Sequence, residues 1–417
     1  MITDDLESFG KSQGQITVSL SNELVQLLSD QLYSSALKAI EELVVNAYDA
    51  NASLCSVYLP NLTGMFSSQN SIVVFDDGLG MDMAGLKDLW QIGRSNKRTE
   101  EVIKRYERKQ IGKFGIGKLA TYSIANEITY ISKTANGIFS VSLNYNSFAS
   151  GPSGAGIPIN LPVIEITNEE EFYDSTVLND IISDSCITDK IDLKNSESWT
   201  IVILQNLKQK AQDLKIGKLK WILSTAMPID DSFLLRLNCE KIESSKLNYS
   251  KIAEYKIDQL TPDRISKLNQ KSGQNWRVAN EGLVCDLFPN GVYGVILLTE
   301  RSLQEGKSAD LARSNGFFIK VRGRLVNIID KDFGLTLPSA ETFARFRADI
   351  QVDDLDAVIT APREGIESSE LKDRFQELLI AIYNQARSGY EAYLKEEKDK
   401  EARNKEGERK HVLPQLV

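Results

Sequence analysis

Histidine is almost absent. Among 417 residues the only one is His411. That count excludes Ser-His-Asp triads, Cys-His nucleophiles, HExxH zinc sites and most histidine-based proton transfer. It also leaves a kinase acting on its own histidine with one candidate, in a charged stretch. Cysteine is scarce as well: Cys55, Cys186, Cys239 and Cys285 never approach CxxC spacing. This argues against structural zinc and a dense disulfide framework, and fits a reducing compartment. No apolar run reaches the ~18 residues that a membrane-spanning helix needs. The start, MITDDLESFGKSQGQ, is polar and acidic, unlike a signal peptide. These absences predict a cytoplasmic protein with no membrane contact. Positive charge is also in short supply: 49 Lys and Arg face 58 Asp and Glu, a net charge of −9. That argues against a general nucleic-acid coat protein, although local basic patches could still hold phosphate.

What is present is a hydrophobic fraction of 42%, enough for real cores in two or three domains. Residues 21–50 read as two helices, with Leu37, Ile40, Val44 and Ala47 at helical spacing. SIVVF, EITYIS, IFSVSLNY and WTIVILQNL read as strands, and IGKFGIGKLATYSIA as a loop opening a helix. Residues 150–197 read as an insertion with one short strand, PVIEI. The pattern predicts an α/β domain over residues 15–207. A lysine-rich linker with connecting strands follows over 208–275, then a second α/β domain over 276–388 and a charged helical tail over 389–417.

Three motifs carry chemistry. In EELVVNAYDA, Glu42, Asn46 and Asp49 share one helix face. A carboxylate there can orient and deprotonate water, and an amide oxygen suits Mg²⁺. Taken alone, the segment reads more readily as a solvated polar face. In FDDGLGM, Asp76 follows a buried strand and can accept from an exocyclic amine. Gly78 and Gly80 let a flat base approach, though Asp-Gly pairs are also ordinary turn formers. In GKFGIGK, residues Gly112 to Lys118, glycines can turn backbone N–H groups toward phosphate oxygens. It is not a Walker A loop, because Leu119 follows Lys118 where Ser or Thr is needed.

In this order the motifs resemble the GHKL ATPases: DNA gyrase, heat-shock-90 chaperones, histidine kinases and MutL. The likeness covers about residues 21–207, including LYSSALKAIEELVVNAYDA and the strand WTIVIL. It implies an ATP-binding α/β sandwich of the Bergerat type, followed by an α/β transducer or middle domain and a charged helical tail. It also implies ATP and Mg²⁺ as cofactors. Glu42 would be the general base and Asn46 the Mg²⁺ ligand, with Asp49 in support through water. Asp76 would bind the adenine amine beside Thr200, in a pocket shaped by Gly78, Gly80 and Met81. Gly112, Lys113, Phe114, Gly115, Ile116, Gly117 and Lys118 would cradle the phosphates. Residues 82–113 would form a lid, whose Lys97, Arg98, Lys104, Arg105, Arg108 and Lys109 could meet phosphate or a partner. Trp199 stands where the family usually has glycine.

The α/β domain after the ATP domain resembles the chaperone, MORC and MutL branch rather than the kinases. That likeness implies a second-domain cation at the γ-phosphate. Arg363 in TAPREGI is the first candidate, with Pro362 where the chaperones have serine. Lys320, Arg322 and Arg324 are others, read as one strand face. The resulting expectation is an ATP-hydrolysing clamp that acts on a protein partner and pairs two protomers when ATP binds. The alternative is a DNA-associated clamp like MORC or MutL, which the basic stretch Lys208 to Lys220 favours. A protein kinase and a non-hydrolysing ATP sensor rank below both.

Overall fold

The computed structural model describes residues 2–19, 36–60, 70–90, 110–111, 117–147, 158–176, 179–181, 187, 192–212, 214–226, 232–243, 250–303, 313–360 and 365–412. The chain divides into two compact units, Met1–Ser245 and Lys246–Val417.

The first unit is a nine-stranded sheet in the order β1-β6-β5-β4-β7-β3-β2-β8-β9. Its central strands are β2 (Leu54–Tyr58), β3 (Ile72–Asp76), β4 (Ala125–Thr134) and β7 (Trp199–Leu207). They are rich in isoleucine and valine because both of their faces are covered. On one face, α2 (Ala36–Asp49) buries Ile40, Leu43, Val44 and Ala47 against Val57, Val74, Val202 and Leu204. Helix α5 (Ile216–Ala226) adds Leu219 and Leu223 to the same core. Helix α2 ends where Asn51 takes a left-handed backbone at φ 63°, and the Ala52 N–H closes back on the Ala47 carbonyl. On the other face, α1 (Ile2–Phe9) and α4 (Glu169–Asp174) bring Leu6, Phe9 and Phe172 onto Val73, Phe75, Ile131 and Ile201.

Three segments differ from the sequence expectation here. The strand around PVIEI is a full nine-residue member of the sheet, β6 (Pro158–Ile166). It lies between β5 (Gly137–Asn144) and β1 (Gly10–Ser19). Residues 209–241, expected as a connection, instead complete the first unit. There β8 (Leu234–Leu237) pairs parallel to β2, and β9 (Glu240–Lys241) closes the edge. The glycine segment leads into a 3-10 helix, Gly117–Ser123, rather than an α-helix.

The second unit is a seven-stranded sheet in the order β11 (Arg277–Ala279), β12 (Gly282–Cys285), β13 (Phe288–Thr299), β16 (Phe346–Val352), β14 (Gly316–Val321) and β15 (Arg324–Leu325), with β10 (Lys251–Lys256) also paired to β13. No residue of β10 is more than half-buried, so its sequence KIAEYK reads as linker. Helix α6 (Pro262–Ser272) and the first half of α7 (Glu370–Val412) complete this unit; α7 buries Phe375, Leu378, Leu379, Ile382 and Tyr383. The expected boundary at residue 388 falls inside α7, which runs for 43 residues without interruption. Its apolar stripe stops near Tyr390, but good helix formers continue. Lys320, Arg322 and Arg324 do not share a strand face. β14 (Gly316–Val321) ends at a turn through Arg322, φ 52°, and Arg324 is buried on β15 (Arg324–Leu325). Among the described cysteines, Cys55 and Cys285 are free and buried, whereas Cys239 is disulfide-bonded.

Candidate nucleotide site

The ends of three adjacent strands set the floor of the site. Ser132 on β4 faces Thr200 on β7, and Thr200 faces Asp76 on β3. Directly opposed residues share a sheet face, so the three form one polar row. By period two the row continues the apolar face of Ile72 and Val74, which packs toward α2. Cys55 on β2 extends it beyond Asp76. Trp199 is one residue out of phase, so its ring enters the opposite core, where its Nε1–H donates to the Leu193 carbonyl at 3.0 Å. A tryptophan in place of glycine therefore leaves Thr200 on the row.

Asp76 is buried, and one carboxylate oxygen accepts from the Gly78 N–H at 3.0 Å. Burial pushes its carboxyl up to about 7; the Gly78 N–H pulls it down, and neighbouring Asp77 pushes it further up. Asp77 itself holds the chain together: it accepts from the Ser53 and Leu54 N–H groups, both at 2.7 Å. Of the Asp-Asp pair, then, only Asp76 belongs to the row.

The two glycines have packing reasons. A Cβ on Gly78 would lie 2.8 Å from both Ala50 and the Asp76 carboxylate. Gly80 has φ 66°, and a Cβ there would lie 2.1 Å from the Lys133 carbonyl. The turn thus lies flat between the end of α2 and the end of β4. Met81 follows, half-buried, its N–H donating to Ser132 Oγ at 2.7 Å.

Helix α2 separates its two adjacent glutamates. Glu41 is fully buried and pairs with buried Lys38 at 2.9 Å. Glu42 and Asn46 lie one turn apart on the helix, both half-buried. Asp49 closes the same helix. Its carboxylate is buried and accepts the Ile111 N–H at 2.6 Å, while its own carbonyl accepts from Gln110 at 3.0 Å. It fixes the residue that precedes the glycine segment.

Gly112, Lys113, Phe114, Gly115 and Ile116 lie outside the described residues, as do Arg363 and the six lid cations. Gly117 and Lys118 open the 3-10 helix; the side chain of Lys118 is not described. Sequence reasoning missed Ser132 and the Lys38–Glu41 pair. Ser132 carries no motif, and only its register opposite Thr200 reveals it. No group of three or more His, Cys, Asp and Glu gathers among the described residues. The donor set of Glu42 and Asn46 fits Mg²⁺ that takes most of its ligands from phosphate and water, not a protein-caged metal.

The family described as histidine kinase-, DNA gyrase B- and HSP90-like ATPase matches residues 33–172. That range includes Glu42, Asn46, Asp76, Gly78, Gly80 and the glycine segment, and stops short of Thr200. The chain is 36% identical over 111 residues to a protein provisionally named type II restriction enzyme HgiDII, from Herpetosiphon aurantiacus. The aligned stretch is 26% of this chain and 16% of that protein. No described helix is long and apolar enough to cross a membrane.

Proposed function

We propose, from the match of residues 33–172 to the histidine kinase-, DNA gyrase B- and HSP90-like ATPase family, that the chain is an ATP-hydrolysing conformational switch. The observation that carries this reading is the polar row of Asp76, Thr200 and Ser132, on the sheet face that α2 covers. Asp76 accepts from the exocyclic amine of the base, and Thr200 supplies a second polar atom beside it. Gly78 and Gly80 keep the floor clear of side chains. Asp49, by holding Ile111, sets where the phosphate-cradling glycines begin. Glu42 orients the attacking water and takes its proton. Asn46 would hold Mg²⁺, which would supply neutralising charge to the transferring group. In this reading Arg363 responds to the third phosphate, and ATP pairs two protomers.

Two outputs are compatible with such a switch. A protein client was the first expectation from sequence. A specific observation favours the second, a DNA-linked role: the matched relative is named as a restriction enzyme. With a net charge of −9, any DNA contact would be local, and its affinity would fall steeply with salt.

The test is phosphate release by the full chain with Mg²⁺ and ATP. Glu42→Ala is expected to keep nucleotide affinity while the turnover rate falls by about 10²–10⁴, the usual contribution of a positioned general base. Wild-type turnover in that variant would remove Glu42 from the mechanism.

A further inference from the structure

Ser132 Oγ has three partners. The Met81 N–H donates to it at 2.7 Å, the Trp199 carbonyl lies at 3.1 Å, and Thr200 Oγ1 lies at 3.0 Å. A serine hydroxyl has one proton and two lone pairs. The Trp199 carbonyl can only accept, so it takes the serine proton. The Met81 N–H occupies one lone pair. The remaining lone pair can be filled only by the Thr200 proton. Ser132 is completely buried, so satisfying all three partners at once matters.

This wiring has a chemical consequence at the base. With its proton committed to Ser132, Thr200 presents only lone pairs, beside the carboxylate of Asp76 on the next strand. We propose that Ser132 is a positioning residue that sets purine specificity, making Thr200 an acceptor so that the site takes a 6-amino purine and rejects a 6-oxo purine. The proposal rests on the nucleotide reading of the site. A 6-amino purine brings an amine to two acceptors. A 6-oxo purine brings a ring N–H, which Asp76 can accept, but also a carbonyl oxygen that then meets the lone pairs of Thr200. A threonine free to turn its proton outward would accommodate that oxygen.

The experiment is the affinity of the full chain for ATP, GTP and inosine triphosphate, in wild type, Ser132→Ala, Ser132→Cys and Ser132→Thr. Wild type is expected to prefer ATP over both oxo-purines by about 100-fold or more, as sites that leave polar groups mismatched do. Ser132→Ala and Ser132→Cys release the Thr200 proton and should narrow that ratio by about tenfold, mainly through tighter GTP and inosine triphosphate binding. Ser132→Thr, which keeps the hydroxyl, should restore it. Equal weakening of all three nucleotides in the Ala and Cys variants would overturn the proposal and leave Ser132 a support for the Met81 turn. If neither variant folds, wild type decides: equal affinity for ATP and inosine triphosphate overturns it. Failure of wild type to bind any nucleotide would instead overturn the functional reading beneath it.

Discussion

Asp76 lies where a carboxylate is costly to keep. It is buried beside Asp77 in sequence and Cys55 across the ladder, and the Cys55 thiol, itself pushed well up by burial, stays neutral. Burial pushes its carboxyl up to about 7, against 3.8 for an ordinary aspartate. Between those values the folded chain holds a proton that the unfolded chain has released. The contribution of Asp76 to stability therefore falls as pH rises through that window. Asp76→Asn keeps an oxygen for the Gly78 N–H and removes the penalty, so at pH 8 it should stabilise the nucleotide-free protein by roughly 1–4 kcal/mol in denaturant titrations. The same variant should lose ATP binding by at least about 100-fold, since an amide cannot replace the acceptor without turning a donor toward the amine. A base amine selects the ionised carboxylate. ATP affinity of the wild type should thus weaken about tenfold from pH 8 to pH 6, read by isothermal titration. Affinity that is flat over that range would mean that Asp76 does not accept from the base.

Secondary structure was legible where apolar residues recur in runs or at helical spacing, and illegible where an element covers only one face. SIVVF and WTIVILQNL announce strands because both of their faces are buried. β1, with GKSQGQITVS, and β10, with KIAEYK, do not, because register with β6 and β13 holds them rather than apolar content. The candidate site was legible to the extent that it lies in motifs: Glu42, Asn46 and Asp76 stand in recognisable segments, whereas Ser132 needed the register and the Asp49–Ile111 contact needed the fold. The α2 sequence also conceals Lys38–Glu41, a charged pair at i, i+3 inside an otherwise apolar stripe. With both side chains almost fully buried, substituting one of them alone takes a 2.9 Å ion pair from the other where desolvation is expensive, a loss of about 3–5 kcal/mol. Lys38→Met or Glu41→Leu alone should therefore lower the thermal midpoint sharply. The double substitution, which removes both charges at similar volume, should recover most of the loss. Additive losses would show that the two residues act through other partners. Because α2 also carries Glu42 and Asn46, the single variants should weaken nucleotide binding as well, without touching the nucleotide.

At the scale of the whole molecule, the two units have separate cores, one around α2 and the nine-stranded sheet, the other around Phe288, Phe375 and Tyr383. The residues proposed to hold the base and water, Asp76, Thr200, Glu42 and Asn46, all belong to the first. A ligand that binds only the folded first unit stabilises it by mass action, about 2.7 kcal/mol at 100 times its dissociation constant. For a unit of this size that corresponds to roughly 5–10 °C in its midpoint. The second unit gains nothing from such binding unless its own stability is linked to the nucleotide state. Calorimetry at matched saturation therefore separates a nucleotide-binding domain from a switch. Mg²⁺–ADP should raise the transition of the first unit alone. A non-hydrolysable ATP analogue should raise both transitions, or merge them, because the third phosphate is what the proposed switch reports to the second unit. Identical profiles with the two nucleotides would mean that the first unit binds nucleotide without passing its state on, and the switch reading would give way to a simple ATP-binding domain.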